Sequence, residues 1–157
     1  MKPPAEIRIL RLRECASISD TNTCDTPERA VEYWRANVAT ATVFDPDKEH
    51  FVVLLLNTRK RVMGHNVVAV GSLDSVIVHP REVFRPAIVA AASALILMHN
   101  HPSGDPVASD GDIRVTRDLI RAGQLLRIDV LDSIVVGQPG PHSARGFTSL
   151  RESGYFY

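Results

Sequence analysis

No stretch of this chain approaches the ~20 consecutive apolar residues of a transmembrane helix. Its start, Met1-Lys2-Pro3-Pro4 with Arg11 and Arg13 soon after, lacks the apolar core of a secretory signal. No membrane association and a cytoplasmic location are therefore expected. Charge of one sign is not in excess either. Basic and acidic residues number 18 each, so the net charge advertises neither nucleic acid nor an anionic surface. Cysteine is scarce: Cys15 and Cys24 stand in a polar stretch with eight residues between them. In a reducing compartment that spacing predicts ordinary thiols, neither a disulfide nor a standard zinc knuckle. Low-complexity tracts and internal repeats are also missing. What remains is 157 residues of ordinary globular composition, one domain by length and long enough to bury a real core.

Residues 1–25 read as an arm, with a short strand possible at 7–12, and residues 26–157 as the domain. Thr26-Pro27-Glu28 has a hydroxyl cap, a proline at the first helical position and an acid in the first turn. It predicts a helix over 26–38 that buries Ala30, Val31 and Trp34. Asp45-Pro46-Asp47-Lys48 is a polar turn. The apolar run Phe51-Val52-Val53-Leu54-Leu55-Leu56 suits a strand covered on both faces. A turn at 57–60 leads into a second strand over 61–70, bent at Gly64. Residues 80–92 are expected to be helical, with a kink or break near Pro86. Strands are expected at 93–98, 128–136 and 147–150. A helix over 110–126, with Ile113, Ile120 and Leu126 at core spacing, and a Pro/Gly-rich loop at 138–146 complete the chain. Mixed α and β with hairpins predicts a three-layer α/β sandwich around a curved mixed sheet.

The chemistry concentrates in His99-Asn100-His101, followed after seven residues by Ser109 and after two more by Asp112. The run Ala94-Leu95-Ile96-Leu97-Met98 reads as a buried strand, so both histidines leave its end. Residues i and i+2 of extended chain point to one side, and two imidazoles can converge on one metal. Pro102-Ser103-Gly104-Asp105-Pro106 forces a loop, which brings Asp112 into the first turn of the next helix. His, His, Asp and an open position is the arrangement of a catalytic rather than a structural zinc. Ser109 and Asp112 also fit a variant capping box, a hydroxyl at the N-cap and an acid at N3. The two roles are compatible.

His-x-His-Pro-x6-Ser-x2-Asp resembles the JAMM signature of the JAB/MPN metallopeptidases. The string from His99 to Pro106 is similar to the RadC branch of that family, as are Val78-His79-Pro80-Arg81-Glu82-Val83-Phe84, Leu131-Asp132 and Ile134-Val135-Val136-Gly137. The resemblance implies the JAB1/MPN, cytidine-deaminase-like sandwich, one Zn2+ per chain on His99, His101 and Asp112, and hydrolysis of a peptide or isopeptide bond. It also implies a glutamate just ahead of an apolar strand beside the metal strand, as general base. Glu49 matches that place, with Glu82 and Asp74 as rivals. Ser109 is the natural group to steady an oxyanion. Two departures stand out. Ser133 occupies a position where the RadC branch usually has histidine, and the N-terminal segment shows no helix-hairpin-helix pair of the kind longer members carry.

Three functions follow: a zinc-dependent peptidase or isopeptidase, a DNA-repair-associated protein acting on or near DNA, and a metal-binding scaffold without turnover. The stripe Arg114, Arg117 and Arg121 and the turn Arg59-Lys60-Arg61 are the only residues that speak for nucleic acid, and both also read as solvated surface. His50, His65, His79 and His142 are expected to be structural.

Overall fold

The computed structural model of the chain describes residues 13–17, 22–71 and 78–156. The strand considered at 7–12, and Asp74, lie outside them. Five strands form one sheet in the order β2-β1-β3-β4-β5: β1 (Glu49–Leu56), β2 (Val62–Gly71), β3 (Ala94–Asn100), β4 (Asp129–Val136) and β5 (Phe147–Ser149). β1 runs antiparallel to both neighbours, β3 and β4 are parallel, and β5 returns antiparallel. The parallel pair requires a crossover, supplied by helix α3 (Asp110–Leu126).

Strand alternation sorts the core into two halves. Val52, Leu54, Leu56, Ile96, Met98 and Ile134 point to one face and meet Ala30, Val31, Trp34 and Val38 of the first helix. Phe51, Val53, Leu55, Leu95 and Leu97 point to the other, against Val83, Phe84 and Ala87 of helix α2 (Pro80–Val89) and Leu119 of α3. Helix, sheet and helix pair make the three layers expected, with the mixed sheet open rather than closed into a barrel. The apolar runs of β1 and β3 are buried along nearly their whole lengths because both sheet faces are covered.

The first helix departs from expectation in its second half. α1 (Pro27–Tyr33), capped by Thr26, continues as a π-helical segment, Trp34–Val38, closed by the Ala39 N–H bonding to the Trp34 carbonyl at 3.0 Å. The wider turn buries Tyr33 and Trp34 side by side, the Tyr33 hydroxyl reaching His65 Nδ1 at 3.0 Å and the indole meeting Phe44 edge-on. Asn37, also buried here, bonds both backbone groups of Ala16 and so holds residues 13–17 against the domain. Gly64 is the expected irregularity of β2, where the pairing shifts between Leu55 and Leu56.

Two further expectations are adjusted. α2 contains Pro86, as expected, but ends at Val89 rather than near residue 92, with Ala91 just beyond it at a positive φ of 54°. The core face of α3 is Asp112, Thr116, Leu119 and Gly123, not Ile113, Ile120 and Leu126. The two isoleucines are half-buried and Leu126 is exposed. Gly123 is required where it stands, since a Cβ there would lie 2.5 Å from the Ile128 carbonyl oxygen. No helix among the described residues is long and apolar enough to cross a membrane.

Candidate metal centre

Strand parity places His99 on the α2/α3 face of β3, with its ring stacked on Phe51 of β1. β3 ends at Asn100, and the His101 N–H bonds the Val136 carbonyl of β4 at 3.1 Å. That bond keeps the chain extended for one more residue, so His101 returns to the face of His99. The loop then folds back: the Gly104 N–H bonds the His101 carbonyl, and the Gln138 N–H bonds the Gly104 carbonyl. Gly104 has a φ of +79°, a conformation that costs glycine nothing.

The three residues singled out by spacing meet. His99 Nε2 and His101 Nε2 are 3.1 Å apart, and Asp112 reaches them at 3.2 Å (Oδ1 to His99) and 3.5 Å (Oδ2 to His101). One ligand atom from each lies within 4.8 Å of the others, the only such group of three among the described residues. His99 and Asp112 are buried and His101 is partly exposed, so the cluster opens to solvent on the His101 side.

Each ligand is oriented from behind. The capping box is present in full: Ser109 Oγ accepts from the Asp112 N–H at 3.1 Å, and Asp112 Oδ2 accepts from the Ser109 N–H at 2.7 Å. Ser109 Oγ–H also donates to Oδ2 at 2.8 Å. Two donors on Oδ2 leave Oδ1 as the oxygen free to ligate. His101 Nδ1 lies 2.8 Å from the Asp105 carbonyl, which puts a proton on Nδ1 and aims Nε2 into the cluster. The Asp105 carboxylate is in turn 2.8 Å from His142 Nδ1. His99 Nδ1 is buried without a hydrogen-bond partner, so packing on Phe51 fixes this ring.

The electrostatics match. Burial alone would raise the pKa of Asp112, but hydrogen bonds from His101, His99 and the Ser109 N–H hold it well below the usual carboxylate range. His101 is raised, chiefly by its bond to Asp112 against the effect of burial, with the Asp105 carbonyl and the Glu49 charge adding. Two imidazole nitrogens and one carboxylate that converge on one point could hold a divalent metal ion, the histidines giving up their protons to it.

Glu49 opens β1. The β1–β3 pairing ends at Phe51–His99, and Glu49, two residues before Phe51, is near enough for its charge to raise the His101 pKa. Glu82 is exposed on the first turn of α2. His79 is the N-cap of α2 and accepts from the Arg81 N–H. His50 packs on Phe44 beside the Asp45 backbone, and Arg114, Arg117 and Arg121 are exposed. Ser133 accepts from Thr116 Oγ1 at 2.9 Å in a buried pair one turn beyond Asp112. Sequence reasoning gave no role to Asn100, Phe51 or the Asp105 carbonyl. Only the antiparallel register and the loop fold bring them to the site.

An open mixed sheet between helical layers, with His-x-His at a strand end and an aspartate in the cap of the crossover helix, defines an α/β domain of the JAB/MPN fold. The description of the RadC-like JAB domain matches residues 24–155, and the chain belongs to that family. It is 48% identical over 110 residues to a UPF0758 protein of Desulforamulus reducens, covering 70% of this chain and 46% of that protein. A UPF0758 protein of Desulforudis audaxviator is 50% identical over 110 residues, covering 70% and 45%. One from Bacillus cereus is 47% identical over 108 residues, covering 69% and 45%. The match thus spans a little under half the length of these curated relatives.

Proposed function

We propose that this domain is a zinc-dependent hydrolase of the JAMM type that cleaves a peptide or isopeptide bond. The observation that carries the reading is the convergence of His99 Nε2, His101 Nε2 and Asp112 Oδ1 at a half-open cluster, with Glu49 at the start of β1 and its charge acting on His101. A zinc ion held by those three groups would act as a Lewis acid on water and on the scissile carbonyl. The protein supplies the rest. The Glu49 carboxylate takes the proton of the attacking water and returns it to the leaving nitrogen. Against burial, Asp112 stays anionic through His101 and His99 first and the Ser109 N–H after them. The hydroxyl proton of Ser109 is committed to Asp112, so support of the ligand is its first role, and steadying an oxyanion would require that bond to be exchanged. The two free thiols suit a reducing, cytoplasmic compartment.

Metal content tests the reading. Wild-type protein should carry about one zinc per chain, and His101→Ala and Asp112→Ala should lose it. Glu49→Gln should keep the metal and lose cleavage across a panel of peptide and isopeptide substrates. Failure of the wild type to take up zinc at neutral pH would overturn the zinc hydrolase and leave a scaffold role that needs no metal.

A further inference from the structure

Between the two candidate ligands stands Asn100, 7% exposed, which strand alternation sets off the face carrying the histidines. The β1–β3 ladder runs from Leu56–Ala94 to Phe51–His99 and ends there. β3 meanwhile stays attached to β4, through the Asn100–Val136 pair and the His101 N–H bond to the Val136 carbonyl. Where the next β1–β3 rung would fall, a side chain takes its place. Asn100 Oδ1 accepts from the His50 N–H at 2.9 Å, and Asn100 Nδ2 donates to the Lys48 carbonyl at 2.9 Å. A carboxamide has the donor and acceptor of a peptide group, and here it serves as one.

The two backbone groups so held are not arbitrary. The Lys48 carbonyl belongs to the peptide plane before the Glu49 Cα, and the His50 N–H to the plane after it. Peptide planes are rigid and joined only through φ and ψ. Fixing both planes that meet at Glu49 therefore fixes the direction in which its Cα–Cβ bond leaves the strand, and with it the staggered positions its carboxylate can reach.

We infer that Asn100 is the positioning residue for Glu49, aiming its carboxylate at the His99–His101–Asp112 cluster. The inference rests on the reading of Glu49 as the proton-transfer group. It also explains why the middle residue of His-Asn-His is an amide. Aspartate would keep the acceptor for His50 but set a carboxylate against the Lys48 carbonyl, serine would be too short to span both groups, and glutamine would overreach by one methylene.

A double-mutant cycle on zinc affinity, measured by competition with a chromophoric chelator, tests this with Asn100→Ala, Glu49→Gln and the double variant. Backbone amide exchange is followed in parallel. Asn100→Ala should speed exchange at the His50 N–H about tenfold or more and weaken zinc binding about three- to tenfold, by releasing the Glu49 charge. In the Glu49→Gln background the same change should cost less than about twofold, since no charge is left to misplace. An Asn100→Ala effect that persists in full without Glu49 means that Asn100 acts on the neighbouring histidines, and the inference falls while the Glu49 reading stands. If Glu49→Gln alone alters neither zinc affinity nor cleavage, the Glu49 reading falls and takes the inference with it. Should Asn100→Ala not fold, Asn100→Asp, which keeps the acceptor for the His50 N–H but sets a carboxylate against the Lys48 carbonyl, carries the same cycle. No change in His50 amide exchange in Asn100→Ala would overturn the clamp itself.

Discussion

Removing the Ser109 hydroxyl separates a ligand-supporting role from a substrate-facing one, because the two predict opposite results in the metal-free protein. Three hydrogen bonds join Ser109 and Asp112. Ser109→Ala deletes the Oγ–H donation to Oδ2 and the Oγ acceptance from the Asp112 N–H, and it spares the backbone bond. Loss of a hydroxyl cap typically costs ~1 kcal/mol. A hydrogen bond to a charged group contributes ~1.5–3 kcal/mol where water cannot replace it. Ser109 is exposed, so water refills much of the second loss, and the total falls near ~1.5 kcal/mol by these measures. At 157 residues this is a drop of about 3–6 °C in Tm. Thermal and urea unfolding of the metal-free variant would show it, and Ser109→Thr should recover most of it. Zinc affinity should fall about tenfold or more, as for other groups that orient a ligand from behind. A metal-free Ser109→Ala protein within ~0.3 kcal/mol of wild type, far below the usual cap loss, would refute the reasoning if cleavage were nevertheless lost. The hydroxyl would then face substrate.

Two further outcomes follow from packing and burial. A Cβ at Gly137 would overlap the Gly104 carbonyl oxygen and press on Pro106, so Gly137→Ala should displace the loop that carries His101 and Asp105. Zinc binding is expected to weaken more than global stability, with overpacking itself costing ~1–3 kcal/mol; equal zinc affinity by chelator competition would count against this. Burial pushes the Cys24 thiol from an ordinary value of about 9 up to about 12. Above the lower value the unfolded chain releases a proton that the folded chain retains. Stability should therefore fall as pH rises from about 9 towards about 12. The urea midpoint should drop between about pH 8 and about pH 10.5, and drop less in Cys24→Ala. Cys24 should also resist alkylation in the native state.

The candidate site was legible because its parts are short-range signals. His-x-His after an apolar run gives two side chains on one face, and Ser109-x-x-Asp112 gives a helix start, whatever the rest of the chain does. The cap fixed the first residue of α3, and the unbroken apolar run located β1. The core face of α3 was misread because its buried stripe is half polar. Asp112 is buried to serve the site and Thr116 to meet Ser133, so aliphatic periodicity pointed to the wrong residues. The π segment was invisible for a different reason. Trp34-Arg35-Ala36-Asn37-Val38 has no residue that forbids an ordinary α turn, and the choice is made by what Tyr33 and Trp34 pack against. The clamp by Asn100 depends on which strand lies beside β3, and pairing partners distant in sequence leave no local mark.

Strand parity also bears on how this site can change over time. His99, Asn100 and His101 divide their tasks by pointing to alternate sides of β3. Inserting or deleting a single residue within the strand would turn the ligands toward the α1 layer and expose the metal face to aliphatic side chains. A change of two residues would keep the faces but move the ligands ~7 Å along the strand, out of reach of Asp112. The stretch from Ala94 to His101 can therefore vary by substitution but not by length. Growth or shortening is left to segments such as 138–146, where length can alter what reaches the metal centre while the centre itself stays in place.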